Sequence, residues 1–99
     1  MISYHSPYIT CRGWSMSPAL RDGDGLTLVP CRGPDGLKPG DIIVYPHPDE
    51  SVDVAHRVIR ILPDGVITRG DANDRDDPGT VPWAAIKGIV VEVKAGTSF

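Results

Sequence analysis

Three polar stations in this 99-residue sequence are of types that attack carbonyls or move protons. Ser15 lies between Trp14 and Met16, where an extended segment runs into a turn. A hydroxyl there has free backbone N–H groups beside it that can stabilise an oxyanion, although Ser15 or Ser17 can equally cap a short helix. His56 sits inside an apolar run, between Ala55 and Arg57. Neutral imidazole is the usual general base for a serine hydroxyl; the competing structural role is a half-buried strand histidine bonded to backbone. His5 and His47 lie in proline-bounded sequence and have weaker claims. The third station is the acidic loop Gly70-Asp71-Ala72-Asn73-Asp74-Arg75-Asp76-Asp77, from which a carboxylate can orient an imidazole, a solvated turn being the ordinary alternative.

Metal chemistry is not expected. A calcium loop begun at Asp71 places Arg75 and Pro82 where an oxygen ligand and a glutamate are needed, and one begun at Asp74 places Pro78 and Ala85 there. Cys11 and Cys31 form no C-x-x-C pair and are expected as free, small apolar side chains. No metal and no cofactor are expected.

The elements that must carry these stations are short. With 11 Gly and 10 Pro the chain has no room for long helices. Extended segments are predicted at Tyr8–Cys11, Leu26–Pro30, Asp41–Tyr45, Val52–Ile61, Val66–Arg69 and Gly88–Val93, with Pro63-Asp64-Gly65 closing a hairpin between the fourth and fifth. Pro18 fits the first turn of a short helix, and Pro82–Ile86 a single helical turn. Six or seven short strands with regular turns predict an all-β barrel or sandwich, in which Ile43, Val58, Ile67 and Val90 are core and Ser15 and His56 line one groove.

Length and charge bound the function. The 99 residues are expected to form one domain, 1–99, and 40% hydrophobic with 23% charged residues is a globular balance. A net charge of −3 excludes a nucleic-acid binder that works by bulk electrostatics. No apolar run reaches the roughly 20 residues of a membrane span, and the first residues lack the basic and apolar regions of a signal peptide, so the expectation is a soluble cytoplasmic protein.

In chain order these stations resemble the signal-peptidase and LexA-like superfamily of serine peptidases, from about Gly13 to Val93. Its nucleophile box, Ser-Met-x-Pro, matches Ser15-Met16-Ser17-Pro18, followed by Leu20 and Gly23-Asp24. A second Gly-Asp station, Gly40-Asp41, opens the strand Ile42-Ile43-Val44. The His-Arg-Val box of the endoplasmic-reticulum and archaeal branch matches His56-Arg57-Val58, and the late Thr-Lys/Arg-Gly-Asp box matches Thr68-Arg69-Gly70-Asp71, with Asp77 beyond it. Other branches use a lysine base, but Lys38, Lys87 and Lys94 all lie outside the base box.

The resemblance implies compact coiled antiparallel sheets with at most short helical turns, and a Ser15–His56 pair supported by Asp71 and Asp77. The implied activity is endopeptidase cleavage after a small residue of a peptide bound as an extended strand. Asp77 is expected to orient the imidazole, while Asp71 braces the loop by accepting backbone N–H bonds. Gly13 stands where the superfamily often has a serine whose hydroxyl serves the oxyanion hole, so Gly13, Trp14 and Met16 are expected around the oxyanion through backbone N–H groups, chiefly that of Ser15. Family signal peptidases carry an anchor before the serine box and LexA-like repressors a DNA-binding domain. Only 14 residues precede Ser15, so neither is expected here. The alternative function is a catalytically silent peptide-binding or assembly module on the same fold.

Overall fold

The alternation of apolar and polar residues, broken by glycine and proline, folds into an antiparallel barrel. The computed structural model describes residues 1–5 and 8–96. Its strands are β1 (Ile2–His5), β2 (Tyr8–Cys11), β3 (Gly25–Val29), β4 (Ile42–Pro46), β5 (Asp53–Leu62), β6 (Gly65–Arg69), β7 (Val81–Pro82) and β8 (Gly88–Lys94), with one 3-10 turn at Trp83–Ala85. The hydrogen-bonded order is β1-β2-β3-β8-β4-β5-β6-β7, and an additional β1–β5 pairing through Ile2 and Asp53 closes the first six into a ring. The fold is all-β, as the turn-rich sequence predicts.

A side-chain clasp reinforces that closure. Lys87 Nζ and the Tyr4 hydroxyl both donate to Asp53 Oδ2, at 2.8 and 2.5 Å. Burial alone raises the Asp53 pKa, but these hydrogen bonds and the Lys87 charge outweigh it and leave the carboxyl below its ordinary value. The same contact and burial push the Tyr4 phenol up.

β4 is buried on both faces and divides the core. Val44 packs with Ile2, Met16, Leu20, Leu26 and Ala55, whereas Ile43 and Tyr45 face Val54, Val58, Val66 and Ile86. The register Ile43↔His56 and Tyr45↔Val54 puts His56 on the second of these faces. The β5–β6 hairpin continues it through Val58↔Thr68 before a register shift between Val58 and Arg60.

Two core expectations are corrected, each beside a register shift. Val66 is the fully buried apolar residue of β6, while Ile67 lies opposite exposed Arg60 and is half-buried. Ile43 and Val58 are core, as expected, and Val90 is only partly buried against Leu28 across another shifted ladder. No helix forms after Ser15. The segment turns through Ser17 N–H to Trp14 O and Leu20 N–H to Met16 O, and the Ser15 carbonyl is taken by the Ala72 N–H across the site. A helix there would need that carbonyl for itself. Two pairings escaped the sequence reading: β1, where Ser3, Tyr4 and His5 offer little apolar signal, and the two-residue β7, whose second residue is proline.

Candidate active site

Three adjacent strands present polar side chains to one otherwise apolar face. Tyr45 comes from β4, His56 from β5 and Thr68 from β6; they are 4%, 9% and 1% exposed. The loop after β6 returns over this face because its backbone is tied down at both ends. Ala72 N–H donates to Ser15 O at 2.9 Å, and Asp77 N–H donates to Thr68 O at 2.8 Å.

The loop thus delivers Asp77 to one side of the imidazole while the turn after β2 delivers Ser15 to the other. His56 Nε2 lies 3.2 Å from Ser15 Oγ, and His56 Nδ1 lies 2.5 Å from Asp77 Oδ2. An ionised carboxylate only accepts hydrogen bonds, so Nδ1 carries the proton and Nε2 presents its lone pair to the serine hydroxyl. Such a line can take a proton from the hydroxyl and hold the resulting imidazolium.

Gly70 makes the close approach possible. A Cβ at this position would stand 2.8 Å from the Ser15 backbone carbonyl oxygen and from Asn73 Nδ2 and 3.2 Å from His56 Nε2, so a side chain would push the loop away from the serine turn and the ring.

Asp71 sits apart from the imidazole, in a brace of a different kind from the one expected. Its carboxylate accepts two bonds from Arg57, Nε at 2.9 Å and Nη2 at 2.7 Å, while Arg57 Nη1 donates to Gly40 O at 2.8 Å. A guanidinium fork matches a carboxylate edge better than scattered backbone N–H groups do. The hydrogen bond from Arg57 holds Asp71 below its usual pKa against the opposing effect of burial. The Asp71 N–H itself points at Met16 Sδ, 3.3 Å away.

The residues around Ser15 divide. Trp14 is 72% exposed, whereas the Met16 side chain is 1% exposed and belongs to the core. The Gly13 N–H is already bonded to Asp22 Oδ1 at 2.9 Å, which removes it as an oxyanion donor. Among the described residues the N–H groups of Ser15 and Met16 donate to no protein acceptor.

The groove expected to hold Ser15 and His56 together is not the cavity that His56 borders. A cavity of about 370 Å³ borders His56, Asp77, Tyr45 and His47 and extends toward Val54 and Val81, without Ser15 in its wall. Sequence reasoning gave no role to Tyr45, nor to the hydroxyl of Thr68. Yet Thr68 Oγ1 donates to Asp77 Oδ2 at 2.8 Å, and the Tyr45 hydroxyl lies 2.8 Å from Thr68 Oγ1 and 3.2 Å from Asp77 Oδ2. The available signal was parity: in β6 Thr68 shares the inward face of Val66, where a purely structural strand needs no hydroxyl.

An all-β barrel that lines up a hydroxyl, an imidazole and a carboxylate has the groups for acyl-transfer chemistry, and sequence comparison shows what the chain is similar to. The signal peptidase complex catalytic subunit SEC11 of Zygosaccharomyces rouxii is 35% identical over 78 residues, covering 74% of this chain and 46% of that protein. The SEC11 subunit of Eremothecium gossypii is 37% identical over 78 residues, 74% of this chain and 46% of that protein. The SEC11C subunit of Canis lupus familiaris is 33% identical over 79 residues, 75% of this chain and 41% of that protein. Over about three quarters of its length the chain is similar to these signal peptidase catalytic subunits. It spans a little under half the length of the curated relatives it matches. No family model and no solved structure matches it. Among the described residues no helix is long and apolar enough to cross a membrane.

Proposed function

We propose that the chain is a serine endopeptidase that cleaves an extended peptide after a small residue. Ser15 Oγ attacks the scissile carbonyl as its proton passes to His56 Nε2. The imidazolium is held by Asp77 and returns the proton to the leaving amine, and a water then repeats the sequence on the acyl-enzyme. The N–H groups of Ser15 and Met16 face the developing oxyanion, a donor of this kind being worth about 10²–10³ in rate. Asp71 acts at one remove, by fixing the loop on which Asp77 arrives. The substrate pairs with a strand edge, so that backbone bonds supply affinity and a small residue fits beside Ser15. The relatives' names make them subunits of a complex, and this chain is proposed to work with partner subunits in the same way.

The observation that carries this reading is the continuous line from Ser15 Oγ through His56 to Asp77, at 3.2 and 2.5 Å. Mass spectrometry of peptides containing an Ala-x-Ala segment, incubated with wild type and with Ser15→Ala, tests it. Cleavage is expected after the second alanine and only with wild type. Cleavage that survives the substitution excludes Ser15 as nucleophile, and an intact peptide with both proteins favours the silent binding module.

A further inference from the structure

We propose that Thr68 and Tyr45 are positioning residues that clamp the Asp77 carboxylate against His56; this role rests on the Ser15–His56–Asp77 reading above. Asp77 reaches the imidazole on a loop, and its side chain is 24% exposed. A carboxylate so placed turns freely about its last bond unless something holds one oxygen. Here three groups converge on one oxygen, Oδ2: His56 Nδ1 at 2.5 Å, Thr68 Oγ1 at 2.8 Å and the Tyr45 hydroxyl at 3.2 Å.

Counting protons orders the contacts. Each hydroxyl has one hydrogen to give. Thr68 has the charged acceptor at 2.8 Å and gives its hydrogen to Asp77. Its oxygen is then free to accept from Tyr45, which is equally close at 2.8 Å. The chain runs Tyr45 O–H to Thr68 O–H to Asp77 Oδ2, met from the other side by His56 N–H, and bonds linked in this way polarise one another. Tyr45 remains a donor at any working pH: burial raises its phenol pKa, Thr68 opposes this, and the Asp77 charge reinforces it.

Packing alone does not account for these hydroxyls. Tyr45 and Thr68 lie among Ile43, Val54, Val58 and Val66, where phenylalanine and valine fill the same volumes without a polar group to satisfy. The groups facing His56 are few. Ser15 approaches from the turn, Asp77 from the loop and Tyr45 from β4, with the ring of Tyr45 edge-on at 6.2 Å, and the Arg57–Asp71 pair lies alongside. Of these only Asp77 is a charge in hydrogen-bond contact with the imidazole; the Asp71 carboxylate, paired with Arg57, acts on it through space.

NMR titration of the His56 ring, together with kcat/KM against pH on an Ala-x-Ala peptide, tests the clamp in wild type, Thr68→Val, Thr68→Ser and Tyr45→Phe. In Thr68→Val the released carboxylate swings toward solvent. The proton affinity of His56 is then expected to fall about tenfold and kcat/KM about 10–100-fold, the scale of one hydrogen bond to a charged group. The acid limb of the profile should move to lower pH. Thr68→Ser should restore both quantities, and Tyr45→Phe should fall between. Thermal melting checks that the variants fold. An unchanged titration in Thr68→Val overturns the clamp, and so does a raised His56 proton affinity, which would mean that Thr68 only disperses the charge of a carboxylate already fixed. Ser15→Ala separates the two claims: if it stays active the peptidase reading fails, whereas if it is inactive while Thr68→Val matches wild type, only the clamp fails. A wild type that cleaves nothing still answers through the titration.

Discussion

Asp71 and Asp77 are six positions apart in one loop, yet their surroundings assign them different tasks. Asp77 has an imidazole and two hydroxyls on one oxygen; Asp71 has the fork of Arg57 on two. Asp77→Asn keeps an acceptor for Thr68 but loses the charge that holds an imidazolium. Turnover is expected to drop by about 10²–10⁴-fold while Tm stays nearly unchanged, measured by peptide cleavage and calorimetry. Asp71→Asn weakens the tie from loop to barrel by on the order of 1 kcal/mol, which should lower Tm by roughly 4–8 °C and reduce activity more mildly. Equal thermal losses in the two variants would contradict the division. At this scale the convergence of Ser15, His56 and Asp77 into one candidate line was legible because the motifs order these residue types along the chain. The fork from Arg57 was not, because position 57 reads as an ordinary exposed strand residue until the loop is folded back over it. Thr68 stood in the late box, but the task of its hydroxyl, like that of Tyr45, was hidden for a similar reason: it depends on a loop folded back over the strands.

Among the elements, β4, β5 and β6 do the positioning, and they were also the most legible. Ile42–Tyr45 and the alternation of Val54, His56 and Val58 leave little freedom of register, since a slip by one residue would turn the imidazole out of the face it shares with Tyr45. β1 and β7 were illegible because pairing, not hydrophobic pattern, makes them strands. The same holds for barrel closure, which depends on one residue pair, Ile2↔Asp53, and on the clasp of Tyr4 and Lys87 at Asp53. Lys87→Met removes the cation from a buried carboxylate. Because the lysine side chain is itself 51% exposed, the loss is expected to be on the order of 1 kcal/mol, seen as a lower midpoint in urea with an unchanged slope. An unchanged midpoint would mean that Tyr4 alone satisfies Asp53.

For the molecule as a whole, the shifted groups set a window of pH stability. Asp53 and Asp71 are depressed in the folded state, so their contribution is complete above the unfolded carboxylate value near about 4 and is lost as pH falls through the folded values. Tyr4 and Tyr45 are raised, so their contribution is complete below the unfolded phenol value near about 10 and is lost above it. Thermal melts across pH should therefore show a plateau between these limits, with the acid edge shallower in Asp71→Asn; an acid edge identical in that variant would remove Asp71 from the account. The central claim is that this barrel makes Ser15 a nucleophile through His56. It is tested most directly with a peptidyl phosphonate ester carrying an alanine-like residue at phosphorus, by mapping the covalent adduct with tandem mass spectrometry. One adduct per chain is predicted, on Ser15, absent in Ser15→Ala and strongly slowed in His56→Ala. A wild type that forms no adduct, or an adduct on Ser17 or another side chain, would contradict it.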